Sequence, residues 1–375
     1  MNARIQVGTT IWVGNVEMHV RASDWFKHQH HKDTAYNNVI LHVVYELDME
    51  LETEKIPCLH LQKRIAPKLL YQYQQLIENE YWIPCEARFH TISDLTKTLW
   101  LERLLVERLE RKTQVIEQIL VNSKNDWEET FYQFLARSFG LKVNTEPFEW
   151  LAQRTPLRLL LKHQHQLLQL EALLFGQAGF LEKEYADDYP RQLQQEYHFL
   201  KHKYKLNELS PTVWKFMRLR PPNFPTLRIA QLAMLIFQSK HLFSKVLETT
   251  NYEDFKTLFR VHPSDYWYTH YTFDKSSKPC SKKLGKNTVD LLLINTIAPF
   301  LFLYGSQRGI TAVRDRAIQL LEQIPPEKNS IIEGWQHLNL PSTSAYHSQA
   351  LIQLKNEYCT PKRCLTCAIG HALLR

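Results

Sequence analysis

The first ten residues, MNARIQVGTT, contain no Asp or Glu, and no charged start followed by a long apolar stretch lies near the N-terminus, so no secretory leader is expected. Apolar runs fall short of the roughly 18 uncharged residues a membrane helix needs, which excludes an expected span and implies residence in the cytoplasm. No segment recurs at the period of about 20 to 50 residues that marks a solenoid. Excess charge of one sign is also small: 46 Lys and Arg against 39 Asp and Glu leave +7, which permits an anionic partner without requiring one. No catalytic signature with a known reaction is present. What is there is a chain of 375 residues with 44% hydrophobic content, enough for one large core or two smaller ones.

The densest chemistry lies between Trp12 and Asp48, where Glu17, His19, Asp24, His28, His30, His31, Asp33 and His42 crowd on and between two strand-like runs. Val16, Met18 and Val20 alternate with Glu17, His19 and Arg21, the period of a half-buried strand that projects the Glu and His from its wet face. VILHVVY, Val39 to Tyr45, is nearly all apolar and suits a strand covered on both sides in a parallel or mixed sheet. Between them a loop or short crossover is expected. His28, His30 and His31 lack the i, i+4 spacing of a helical metal pair and rank below Glu17 and His19 as ligands.

Carboxylates that hold Mg²⁺ or Mn²⁺, beside a group that orients or deprotonates water, are what metal-dependent phosphodiester hydrolysis needs. Glu17-x-His19 resembles the Glu-x-Lys strand of restriction-endonuclease-like nucleases, with His19 in place of the Lys. Those enzymes take an Asp from the preceding strand or turn, and none stands there in this chain. The structural alternative is a Glu and a His on a solvated strand face, with no function.

From Pro67 onward the pattern turns helical. Apolar residues recur at three and four residue steps from Leu69 to Ile77 and from Leu95 to Ile119. Further helices are expected at Asp126 to Phe139, Leu157 to Phe175, Pro190 to Tyr204, Leu227 to Leu247, Val289 to Leu303 and Thr311 to Gln323. Their stripes read as core packing, and Glu171 among them as a surface or capping group. In RLRPPNFPTLR, prolines hold a rigid loop on which Arg218, Arg220 and Arg228 either converge on a phosphate or carboxylate or tie the loop to helix ends. Lys282 and Lys283, in the lysine loop KSSKPCSKKLGK after the aromatic run YWYTHYTF, combine cations with flat rings as nucleic-acid contacts do. The structural alternative, which charge runs favour because they are usually solvated, is an exposed lysine loop.

The second concentration of chemistry is C-terminal: Cys359, Cys364, Cys367 and His371 in YCTPKRCLTCAIGH. Three thiols this close in a reducing compartment suggest a metal rather than a disulfide framework. The fourth ligand is expected to be either Cys280, giving a four-thiolate zinc or iron-sulfur site, or His371, giving a Cys3His zinc site. Some nucleases of the Glu-x-Lys class hold an iron-sulfur cluster with a remote cysteine and a C-terminal triplet, a loose echo with different spacing. Cys58 and Cys85, each after a proline, read as structural.

GNVEMHV, IPCE, WLERLLVERLE, EALLFGQAGFL, RLRPPNFPTLRIAQLA, LLINTIAPFLFLYG and the cysteine segment together resemble an uncharacterised bacterial family, domain of unknown function 2851, across essentially the whole chain. Members of that family look longer at the N-terminus, with a Gly-Pro-Asp-Phe type of turn ahead of the residues matching Asn2 and Ala3. The resemblance implies that this form starts after the turn and lacks its Asp. The expected architecture is α+β, a small N-terminal mixed sheet in residues 1–90 followed by a helical region in 91–375. The expected function is metal-dependent processing of DNA or RNA, inactive if the missing Asp is essential. The alternative is a nucleic-acid-binding or scaffolding protein with a structural metal site.

Overall fold

A computed structural model of the chain describes residues 2–49 and 56–375. The architecture is α+β, with a four-stranded mixed sheet at the N-terminus and helices thereafter. The chain divides into two compact units, one formed by Met1–Ile92 with Tyr358–Arg375 and the other by Ser93–Glu357.

In the first unit, β1 (Asn2–Val7) pairs antiparallel with β2 (Thr10–Arg21) across a tight turn at Gly8, whose φ is +62°. The chain then crosses through a single helical turn, α1 (Asp24–Lys27), and two 3-10 turns before β3 (Val39–Glu46). β3 lies parallel to β2, and β4 (Cys58–His60) lies parallel to β3. The register sets Glu17 opposite His42 and His19 opposite Val44, so these residues share one face.

That face is the covered one, contrary to the expectation for β2. Met18 and Val20 are 68% and 66% exposed, whereas the His19 side chain is 6% exposed. The crossover folds back over the Glu17 and His19 face and plugs it with Trp25, so the imidazole is inside and the aliphatic residues are out. Hydrophobic alternation shows that a strand has two faces. It does not show which face a loop covers. β3 is likewise buried on the His42 and Val44 side and only half-buried on the other.

The first unit also contains α2 (Pro67–Glu78), begun by a proline whose missing N–H costs nothing in the first turn. The C-terminal segment packs against it: Lys362 donates to the carbonyls of Ile77 and Asn79, which sit at the helix end where carbonyls lack intrahelical partners.

The second unit begins with α3 (Asp94–Asn122). Ser93 caps it, and Leu101, Leu104, Leu105, Leu109, Ile116, Ile119 and Leu120 form its buried stripe. Asp126 caps α4 (Trp127–Phe139). The apolar pattern from Leu157 to Phe175 is split into α6 (Leu157–Lys162) and α7 (Leu167–Gln177), with α5 (Thr145–Arg154) preceding them. Gly176 of α7 gives the Tyr197 ring of α8 (Asp188–Tyr204) the room a Cβ would occupy.

The proline loop leads into α9 (Pro225–Gln238), which is buried from Pro225 to Ile236. The pattern expected to continue to Leu247 breaks at His241, whose φ is +56°, before α10 (Leu242–Glu248). Lys286–Arg308 is one helical stretch with a π-turn at Leu293–Ile297, long and apolar enough to cross a membrane, but 72% of its apolar window is buried in the fold, as in a core helix. Trp267 and Trp335 are fully buried, each contributing about 2 to 3 kcal/mol of apolar burial.

Candidate metal centre

Ring nitrogens of His19, His28 and His30 lie within 4.8 Å of one another, the one close group of three metal-binding side chains among the described residues. Each is placed by a different local device. His19 is on β2 and faces inward. His28 follows α1, and Gln29 then adopts a left-handed conformation, φ 59° and ψ 25°, which turns the chain so that His30 comes back toward His28. The two rings are 5.4 Å apart, and the rings of His19 and His30 are 5.2 Å apart.

Neighbours hold these rings in place. His19 Nδ1 lies 2.8 Å from His42 Nε2, and His19 Nε2 lies 3.3 Å from His28 Nδ1. Tyr36 stacks on His30 with ring centres 3.8 Å apart, and Trp25 packs against His19, His30 and His42. The Glu17 carboxylate is 3.9 Å from His19 Nε2. Burial lowers the pKa of His19, helped by His30 and His28 and opposed by Glu17 and Asp24. Burial and the neighbouring His19 and His30 hold His42 down to about 4. Imidazoles kept neutral retain the lone pair that binds a cation.

Glu17 and His19, singled out in the sequence, are thus side by side. His28 and His30, ranked below them, complete the group, and the missed signal is a left-handed turn rather than a spacing. The other acids are committed elsewhere: Asp24 accepts from the Arg21 N–H and Asp33 from the Ala35 N–H. His31 is exposed against Phe26.

Cys359, Cys364 and Cys367 are all buried in the first unit, and so is Cys85. Burial pushes the Cys85 thiol up to about 12, and Cys367 and Cys364 are near enough to oppose its ionisation further. Burial likewise raises Cys364 to about 11, with Cys367 adding to it. Cys280 belongs to the second unit, is exposed, and lies 3.6 Å from the Tyr271 hydroxyl. His371 is exposed on the last helix (Ala368–Leu374). Cys85, expected to be structural, therefore shares the neighbourhood of Cys364 and Cys367.

The basic residues separate by burial. Lys283, Arg218 and Arg220 are exposed. Arg228 and Lys282 are buried, 3% and 6% exposed. Glu171, expected at the surface, is buried, accepts from Ser264, and is raised to about 7 by that burial.

The profile of a family of proteins of unknown function, DUF2851, matches residues 1–330. The chain belongs to this family. The match takes in the histidine centre and the proline loop of this DUF2851 protein and stops before the cysteine segment. No curated protein and no solved structure matches it. The likeness to nucleases therefore rests on Glu17-x-His19 and not on a relative.

Proposed function

We propose that this DUF2851 protein is a metal-dependent hydrolase of phosphodiesters, nucleic acid among them, with its ion held by His19, His28 and His30. The observation that carries this reading is the convergence of three ring nitrogens within 4.8 Å beside the Glu17 carboxylate. Three protein ligands leave a coordination position for water or substrate, the arrangement of catalytic rather than closed structural sites. Three imidazoles favour zinc or manganese over magnesium, which prefers oxygen. The ion would supply Lewis acidity toward a phosphoryl oxygen, and Glu17 would accept a proton from the attacking water.

Metal analysis of the purified chain, followed by cleavage assays on a simple phosphodiester, DNA and RNA with added zinc or manganese, tests the proposal. His19→Ala should lose the metal of this centre and cleavage, while Glu17→Gln should keep metal and lose cleavage. Metal binding without cleavage of any substrate would discard the hydrolase and leave a metal-binding protein. Absence of metal binding would discard both.

The buried cysteines support a separate, structural role. In our reading Cys85, Cys364 and Cys367, which influence one another's ionisation, would with Cys359 close on a zinc ion or iron-sulfur cluster when one binds, although they do not stand as a close ligand group in this structure. Closure would fasten the C-terminal segment within the first unit. Ionised thiols in so buried a setting need a cation beside them.

A further inference from the structure

The second unit buries two cations around one cavity of about 320 Å³, bordered by Asn223, Arg228, Gln231, Tyr271, Lys282 and Lys283. Arg228 stands in the first turn of α9, directly after the prolines, and Lys282 comes from the lysine loop. Gln231 Nε2 donates to the Lys282 carbonyl at 2.9 Å, so the two segments are fixed to each other.

The hydrogen-bond partners of Arg228 are all neutral. Arg228 Nη1 donates to Gln231 Oε1 at 3.0 Å, and Nη2 donates to Asn223 Oδ1 at 2.6 Å and Thr288 Oγ1 at 3.2 Å. Its Nε is buried with no hydrogen-bond partner. The Lys282 ammonium donates to the Tyr268 carbonyl at 2.8 Å and to the Ser277 hydroxyl at 3.4 Å, sits 4.3 Å above the Tyr271 ring, and helps lower the pKa of the neighbouring Cys280 thiol. No carboxylate among the described residues forms an ion pair with either. Burying a cation without an opposite charge is unfavourable, and burial alone pulls Arg228 down to about 10. Two such cations at one cavity make it a place where an anion is stabilised from several sides.

We propose that this cavity binds a phosphate group, free or carried by a small ester, with Arg228 and Lys282 facing the anion and Lys283 at its rim. A volume near 320 Å³ is at the lower end for small-molecule sites, room for a phosphate monoester and far too little for a folded polymer. A planar guanidinium in the cavity wall matches the geometry of phosphate oxygens, and the Tyr271 ring borders the same cavity. The proposal does not depend on the histidine centre.

Thermal unfolding and calorimetry of the full chain with inorganic phosphate, adenosine monophosphate, or sodium chloride at matched ionic strength test it. Phosphate or the ester should raise the melting temperature progressively with concentration, beyond any chloride effect. Lys283→Glu, at an exposed position that should fold normally, should weaken binding about tenfold or more, and Arg228→Gln should abolish it. Tighter binding of the ester identifies an ester ligand, and equal binding identifies the free ion. No response beyond chloride, or the same response in Lys283→Glu as in the unaltered protein, overturns the proposal even if Arg228→Gln fails to fold.

Discussion

His42 Nε2 stands 2.8 Å behind His19 Nδ1, while the other nitrogen of His42 is buried with no hydrogen-bond partner. The contact fixes the plane of the His19 ring and leaves Nε2 as the nitrogen directed toward His28 and His30. It joins β3 to β2 across the register that sets His42 opposite Glu17. The strand pairing itself therefore aims the ligand.

His42→Phe follows from this arrangement. The ring volume is kept and the unpartnered Nδ1 is removed, but His19 Nδ1 loses its partner, so the fold should hold at a cost of about 1 to 3 kcal/mol. Affinity for zinc or manganese should drop by about 10- to 100-fold, the usual cost of losing an outer partner of a metal-binding His. Calorimetric metal titration beside thermal unfolding checks it. A variant that binds metal as tightly as the parent would show that His42 only packs.

Gln29 affords a test that touches no ligand. Its left-handed backbone costs a residue with a Cβ about 1 kcal/mol, more for a β-branched side chain, and Gly adopts it freely. Gln29→Gly should keep metal affinity, and Gln29→Val should reduce it by displacing His28 relative to His30. Equal affinities in the two variants would mean that the turn does not set the ligand spacing.

Much of the helical body could be read from periodicity. Thr311–Gln323 is a helix at the expected bounds, and Asp126 caps the helix expected to start there. What could not be read are backbone reversals inside one apolar pattern, as at His163 to Gln166 and at His241, because the helices on either side of each break both bury apolar residues. The same limit hid the metal centre. Glu17 and His19 were visible as alternating strand residues, but a single φ at Gln29 gathers His28 and His30, and hydrophobicity carries no record of it. Cys85 lies far from the triplet in sequence, so only folding reveals its neighbours.

The cysteine site predicts zinc, or iron with sulfide, that remains in the His19→Ala variant when the protein is purified without oxygen. Cys85→Ser and Cys364→Ser should each lower that content, whereas Cys280→Ser and His371→Ala should not. Because thiolate ligands couple binding to folding, metal removal should loosen the C-terminal segment and speed its proteolysis while the helices of the second unit remain protected. Full metal content in Cys85→Ser would remove Cys85 from the site.

Glu171 gives the clearest dependence on pH. It is 1% exposed, accepts from Ser264 Oγ at 2.8 Å, and is raised to about 7, chiefly by burial and against the hydrogen bonds from Ser264 and Tyr189. A carboxyl raised in the folded state holds its proton there after the unfolded chain has released it. Its contribution is therefore complete below about pH 4.5, erodes as pH rises toward 7, and is lost above that. The full difference is at most about 3 kcal/mol, from roughly 1.4 kcal/mol per pH unit. Gln keeps an acceptor for Ser264 and has nothing to ionise, so Glu171→Gln should be nearly neutral at pH 4.5 and stabilising by about 1 to 3 kcal/mol at pH 8. Denaturant unfolding at the two pH values decides it. An equal effect of the substitution at both would show that Glu171 does not change its charge between them in the folded protein.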